Sequence, residues 1–231
     1  MLILCDFDGT ITEVDVTDLL WNGRIAQAER VQMVEEVNCG RWTMHQYMAH
    51  GYAWVPESPS YLLNDLRSRV RMREGWKDFL QIQGASNDQL HVVSNGLDFY
   101  IREFVPESIP ISSFVARYDG RYRVDLPHGC VLLPGEEFKA NRVRQLAADS
   151  ALEHAVYIGS GRADFTPALF CDTVFAVRGS QLAQLRQSYS LPAIEFDSFE
   201  TVTEFILSAS SQRPCSGHIH REFDGLSNWV A

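Results

Sequence analysis

The chain has no run of roughly eighteen apolar residues, so no segment reads as a membrane-spanning helix. It also lacks the apolar stretch of a secretory leader, because aspartates already stand at positions 6 and 8; the expectation is a cytoplasmic protein. Cysteine is sparse and dispersed. Cys5, Cys39, Cys130, Cys171 and Cys215 include no Cys-x-x-Cys pair and read as free thiols in a reducing compartment. Positive charge is scarce as well: 20 Lys and Arg face 30 Asp and Glu, for a net charge of −10. Such a surface repels phosphate backbones and anionic lipid, which argues against nucleic-acid or membrane partners. It does not exclude a small anion, because a local lysine or metal ion overrides the global sign. Internal repeats and low-complexity tracts are missing.

What is present suits one large domain, or one domain with a small insert: 231 residues, 45% hydrophobic. Short apolar runs read as buried strands at Leu2–Cys5, at "LHVVS" (90–94), at "HAVYI" (154–158) and at "TVFAV" (173–177). "SFVARYDGRYRVDL" reads as a hairpin turning at Asp119–Gly120. Between the first two strands, residues 16–70 show only helical periodicity, with Gly40 and Pro56–Pro59 as breaks. "EGWKDFLQIQ", "EEFKANRVRQLAAD" and segments near 180–188 and 198–209 read as further helices. Strands alternating with helices predict an α/β fold, a Rossmann-like parallel sheet covered on both faces. The helical block is expected to be a cap inserted over the carboxyl ends of the strands, where open parallel sheets bind ligands. The expected division is a core of 1–14 and 72–210, a cap of 15–71, and a C-terminal extension of 211–231.

Four features fall at strand ends. "CDFDGTIT" puts Asp6 and Asp8 two residues apart directly after the first strand. Two carboxylates in one site are pushed to unequal pKa values, as a nucleophile and a proton carrier require; the plainer alternative is a solvated turn. "VVSNG" ends in Ser94, Asn95 and Gly96, either a helix N-cap or a small anion site. Lys139 starts a helix, where a lysine is ordinarily solvated. "GSGRAD" (159–164) is either a strand-to-helix turn or a ligand loop, but a dinucleotide fingerprint fails at Asp164 and a P-loop fails for want of Gly-Lys-Ser/Thr.

In that order and spacing, the four together resemble the haloacid dehalogenase (HAD) superfamily. The resemblance covers roughly residues 1–180. With the cap between the first two motifs (C1 type), it points to the phosphoserine-phosphatase-like branch. Within that branch the 2-hydroxy-3-keto-5-methylthiopentenyl-1-phosphate phosphatases of methionine salvage look nearest, on "CDFDGTIT", Asp15 and "LPHGC" (126–130). The resemblance implies a Mg²⁺-dependent phosphomonoesterase acting on a small phosphorylated metabolite. Asp6 would be the nucleophile and Asp8 the acid and base. Ser94, Asn95 and Lys139 would hold the phosphoryl oxygens. Asp6, Asp8, Ser160 and Asp164 would hold Mg²⁺, and Thr10 would orient the loop. Asp15 would face the substrate. A phosphotransferase using the same intermediate, or a catalytically weakened phosphate-binding relative, are the alternatives. The protein is expected to be a monomer or a homodimer.

Two departures stand out. Ser160 occupies a place where close relatives carry a ligating aspartate, which implies weaker Mg²⁺ binding with Asp164 carrying more of the coordination. Phosphoserine phosphatases hold their amino acid with a loop glutamate and a cap arginine; the corresponding positions here are Asp15 and about Gly51, which speaks against phosphoserine. His218 and His220, near Cys215, read as incidental surface residues rather than a metal clip.

Overall fold

The computed structural model describes residues 1–85, 88–152 and 154–211. The extension that carries Cys215, His218 and His220 lies outside the described residues.

The sheet is built from the apolar runs. β1 (Leu2–Cys5) is buried at every residue and lies at its centre. β2 (Gln89–Leu97) and β5 (Ala155–Gly159) flank it in parallel, with Cys5 opposite Val92 and Ile158. β3 (Ile111–Tyr118) and the antiparallel β4 (Tyr122–Asp125) extend one side. β6 (Thr173–Val177) and β7 (Ile194–Phe196) extend the other, giving the order β4-β3-β2-β1-β5-β6-β7. The chain progresses in opposite directions on the two sides of β1. The carboxyl end of β1 is therefore the topological switch point, where such sheets open a crevice.

Side chains alternate across the sheet. Ile3, Cys5, Val92, Val156 and Ile158 face one apolar cluster, which also takes Trp76 and Phe79 of α5 (Trp76–Ala85) and Phe199 and Val202 of α10 (Phe199–Ser211). Leu2, Leu4, Val93 and Tyr157 face the other. That cluster is closed by Val143 of α7 (Phe138–Asp149), Ala168 of α8 (Phe165–Ala168) and Leu182 of α9 (Gln181–Ser188). Two-sided burial explains why these strands read as apolar runs rather than as an alternating pattern.

Between β1 and α5 lie four helices: α1 (Val16–Trp21), α2 (Gln27–Asn38), α3 (Met44–Tyr52) and α4 (Pro59–Arg69). The segment 16–37 carries a single helical period, yet it breaks at residues 22–26, where Gly23 takes a φ of +79°. The block leaves and re-enters the core through one short antiparallel contact. Thr12 bridges Met72, the Glu13 amide bonds to the Arg71 carbonyl, and the Arg73 amide bonds to the Ile11 carbonyl. Among the described residues no helix is long and apolar enough to cross a membrane.

Candidate active site

Asp6 follows β1 without a break, its amide donating to the Ile158 carbonyl at 2.9 Å. The chain then turns back on itself: the amides of Thr10, Ile11 and Thr12 all donate to the Phe7 carbonyl. Gly9 takes a φ of +70° within this turn, a region that L side chains rarely enter. Arg73, at the return from the helical block, clamps the turn from outside. Its guanidinium donates to the carbonyls of Gly9 and Thr10, both at 2.7 Å.

Lys139 stands at the start of α7 with 3% of its surface exposed. Its Nζ lies 2.7 Å from Asp6 Oδ1 and 2.7 Å from Asp164 Oδ1. This lysine is therefore not solvated; it is a buried ammonium between two carboxylates. Burial works to lower its pKa, and the carboxylates of Asp164 and Asp6 outweigh burial and raise it. Burial and the neighbouring Asp164 push the Asp6 pKa up to about 7, against the pull of Lys139. Asp8 is also raised, by burial and by the charges of Asp15 and Asp6. Its Oδ2 accepts from the Tyr100 hydroxyl at 3.0 Å and its Oδ1 from the Val16 amide at 3.0 Å. Ser94 makes a longer contact with the same Oδ2, at 3.5 Å.

Ser94 is not an N-cap. β2 continues through Asn95 and Gly96, and α6 (Asp98–Phe104) begins only afterwards. The Ser94 hydroxyl instead accepts the Gly96 amide at 3.0 Å. Asn95 is buried, and its Oδ1 has no hydrogen-bond partner. Asp15 caps α1, its side chain taking the Asp18 amide at 3.0 Å.

Asp164 is fully buried and its carboxylate is saturated. Oδ1 takes Lys139 and the Tyr157 hydroxyl, at 2.7 and 2.6 Å; Oδ2 takes the amides of Ser160 and Gly161, each at 2.8 Å. Four donors fill the lone-pair directions of a carboxylate. Burial alone would raise its pKa, but Lys139 and the other donors lower it, so the group is held as an anion. In this arrangement four donors already occupy the acceptor positions of Asp164, to which the sequence reading gives more of the Mg²⁺ coordination. Tyr157, Tyr100 and Arg73 escaped the sequence reading. A faint signal existed for Tyr157, which shares a strand face with Gly159; a Cβ at Gly159 would meet Asp164 at 2.8 Å and Tyr157 at 2.9 Å.

Ser160 faces the turn after β1. Its hydroxyl accepts from Thr10 at 3.0 Å and lies 3.4 Å from the Asp8 carbonyl oxygen. Among the described residues, no group of three or more His, Cys, Asp or Glu side chains is arranged to hold a metal ion. The oxygens at this edge still suit a hard cation. Asp6 Oδ1 is taken by Lys139 and the Phe7 amide, which leaves its Oδ2; the Asp8 carbonyl and the Ser160 hydroxyl are close by. One ammonium among three carboxylates leaves the edge negative. Mg²⁺ keeps several waters and takes one or two carboxylates together with substrate phosphate, so this donor set fits it. The "LPHGC" stretch lies elsewhere: Pro127, His128, Gly129 and Cys130 line a cleft of about 700 Å³ beside β3 and α7.

An aspartate pair, a buried lysine and a hydroxyl-bearing strand end, gathered at a switch point, are the equipment of phosphoryl chemistry. The model of the family described as haloacid dehalogenase-like hydrolase matches residues 3–168, and the chain belongs to that family. It is an enzyme of the haloacid dehalogenase phosphatase type. It is similar to the 2-hydroxy-3-keto-5-methylthiopentenyl-1-phosphate phosphatase of Exiguobacterium sp. strain AT1b, 27% identical over 212 residues, covering 88% of this chain and 96% of the relative. The protein of that name from Geobacillus kaustophilus is 26% identical over 217 residues, covering 88% and 94%. Among solved structures, a substrate-bound phosphoserine phosphatase complex aligns with a TM-score of 0.66 and 17% identity, covering 88% of this chain and 97% of that one. That last likeness is one of fold.

Proposed function

We propose that the protein is a Mg²⁺-dependent phosphomonoesterase that works through an aspartyl-phosphate on Asp6. The observation that supports this best is the buried Asp6–Lys139–Asp164 chain at the end of β1. Lys139 holds Asp6 Oδ1, which fixes the carboxylate; Oδ2 keeps one lone pair for in-line attack on phosphorus and the other toward the cation. The phosphorus–oxygen bond of the ester then breaks, and Asp8 delivers its proton to the leaving oxygen. Burial and the charges of Asp15 and Asp6 raise the Asp8 pKa, which favours the protonated form over that of an ordinary carboxyl. Ionised Asp8 afterwards takes a proton from the water that hydrolyses the acyl phosphate. Ser94, the Asn95 amide and Lys139 offset charge on the equatorial oxygens. Asp6, the Asp8 carbonyl and Ser160 would hold Mg²⁺, which would supply charge neutralisation at the phosphoryl group. Asp164 acts one step back: it anchors Lys139 and folds the 159–164 loop. Residues 15–71 serve as the cap that covers the leaving group.

The relatives' names support a phosphorylated ketone of the methionine-salvage type as a candidate substrate. The test is phosphate release from p-nitrophenyl phosphate, with and without Mg²⁺, in wild type and Asp6→Asn. Activity that needs both Mg²⁺ and Asp6 supports the mechanism; equal release by both proteins overturns it.

A further inference from the structure

The chain carries an excess of acid, yet one cleft is lined by two guanidiniums and a single carboxylate. It is the cleft of about 700 Å³ beside β3, a volume usual for small-ligand sites. α7 presents Phe138, Arg142 and Gln145 to it, a stripe at i, i+4 and i+7 along one helix face. Lys139 stands about 100° round the helix from Phe138 and reaches Asp6 and Asp164 instead. None of Asp6, Asp8, Ser94, Lys139, Ser160 and Asp164 lines this cleft, so it is separate from the site at the end of β1.

Both guanidiniums are tethered through one nitrogen and keep the others. Arg142 is half-buried, and its Nε donates to the hydroxyl of buried Ser112 at 2.9 Å. That hydroxyl lies 2.9 Å from His91 Nε2. Burial and Arg142 lower the His91 pKa to about 4, so the ring is neutral and can accept the hydroxyl proton. Arg102 is held through Nη1, which donates to the carbonyls of Pro106 and Ile109 at 3.0 and 3.2 Å. Asp98 spends Oδ1 on the amides of Phe99 and Ala116, each at 2.9 Å. Among the described residues, neither guanidinium forms an ion pair with a carboxylate. A half-buried charge without a partner costs free energy that a ligand anion recovers. Donors fixed before the ligand arrives also lower the ordering cost of binding.

We infer that this cleft is a second binding site, for a small organic carboxylate held by the free Nη atoms of Arg142. The two Nη atoms of one guanidinium match the two oxygens of a carboxylate. Phe99, Phe138, Ile111 and Val115 line the same cleft and cover an apolar body. The charge count favours a monoanion: two guanidiniums and one carboxylate, with His128 taken as neutral, leave one positive charge. A phosphate dianion would exceed that charge, and inorganic phosphate has no apolar part for the walls. The inference does not depend on the phosphatase reading, because the cleft shares no residue with Asp6, Asp8 or Lys139.

Calorimetry on the full chain without Mg²⁺ tests this with phenylacetate, its neutral analogue phenylacetamide, and inorganic phosphate. Phenylacetate should bind saturably, and phenylacetamide at least about tenfold more weakly. Arg142→Gln should weaken phenylacetate binding by about tenfold or more. Arg142→Lys keeps the charge and loses the fork, and should weaken it by about threefold or more. Arg102→Gln changes an exposed side chain and should weaken it by about threefold, which decides the matter if the Arg142 variants do not fold. Asp6→Asn should leave the phenylacetate constant within about twofold of wild type, since Asp6 is not in the cleft. Equimolar phosphate should not displace phenylacetate. No saturable phenylacetate binding at millimolar concentration, equal binding of acid and amide, or displacement by equimolar phosphate would overturn the inference. So would wild-type affinity in a folded Arg142 variant, or in Arg102→Gln where those variants do not fold. Loss of phenylacetate binding in Asp6→Asn would overturn it as well, by placing the ligand at the end of β1.

Discussion

The hydroxyl of Thr10 donates to the hydroxyl of Ser160 at 3.0 Å, across 150 residues of chain. This contact joins the turn after β1 to the loop after β5, and it sets a neutral oxygen beside the Asp8 carbonyl. A carboxylate there would add charge to the donor set and bind a hard divalent cation more tightly. Ser160→Asp should lower the Mg²⁺ dissociation constant by about tenfold, measured by calorimetry without substrate. Unchanged affinity would remove Ser160 from the cation site.

Gly96 gives a steric test of the acid. A Cβ there would lie 2.2 Å from the Tyr100 hydroxyl and 2.6 Å from Asp8 Oδ2. Gly96→Ala must therefore displace the Tyr100–Asp8 hydrogen bond. With general acid catalysis worth about 10²–10⁴-fold, kcat should fall by at least about 10²-fold while the far-ultraviolet circular dichroism is retained. A folded variant with wild-type kcat would mean that Asp8 is not positioned through Tyr100.

The pH profile follows from the two raised carboxyls. In the proposed mechanism Asp6 attacks as a carboxylate, and its pKa is pushed up to about 7. Below that value its ionised fraction falls tenfold per pH unit, so kcat/KM should rise with pH through an acid limb centred near 7. Asp8 must start protonated, and its raised pKa delays the descending limb. A kcat/KM profile flat between about pH 5 and 8 would contradict these roles.

Lys139 tests the electrostatics of the buried chain. Its loss leaves Asp6 and Asp164 as two nearly unexposed like charges. Breaking a buried ion pair from one side costs about 3–5 kcal/mol, so Lys139→Met should lower urea stability at pH 8 by about that amount. Tyr157→Phe removes a single hydrogen bond to Asp164 and should cost about 1–2 kcal/mol. A Lys139→Met loss below about 1 kcal/mol would show that the ammonium does not hold these carboxylates together.

The sequence was readable where one periodicity carried one meaning. Apolar runs at Leu2–Cys5 and Ala155–Gly159 could only be doubly covered strands, and the aspartates after them had to fall at their carboxyl ends. β7 was not legible: it has three residues, of which Ile194 and Glu195 are exposed, so burial left no pattern. The break between α1 and α2 was hidden because apolar spacing runs on through Ile25 while Gly23 turns the chain. At the site, residue types pointed to the right neighbourhood but not to the partners. Asp164 reads as a metal ligand when only carboxylates are counted. Its saturation depends on Tyr157 and two amides, and no spacing rule reveals those contacts. Lys139 reads as a solvated helix start for the same reason, since its burial is set by elements distant in sequence.

In the proposed mechanism phosphorus passes through Asp6. Acid quenching of wild type during turnover of a ³²P-labelled ester, followed by peptide mapping, tests it directly. One acid-stable phosphoryl label is expected on the N-terminal peptide at Asp6, absent from Asp6→Asn together with turnover. Turnover without label on that peptide, or label that persists in Asp6→Asn, would contradict it.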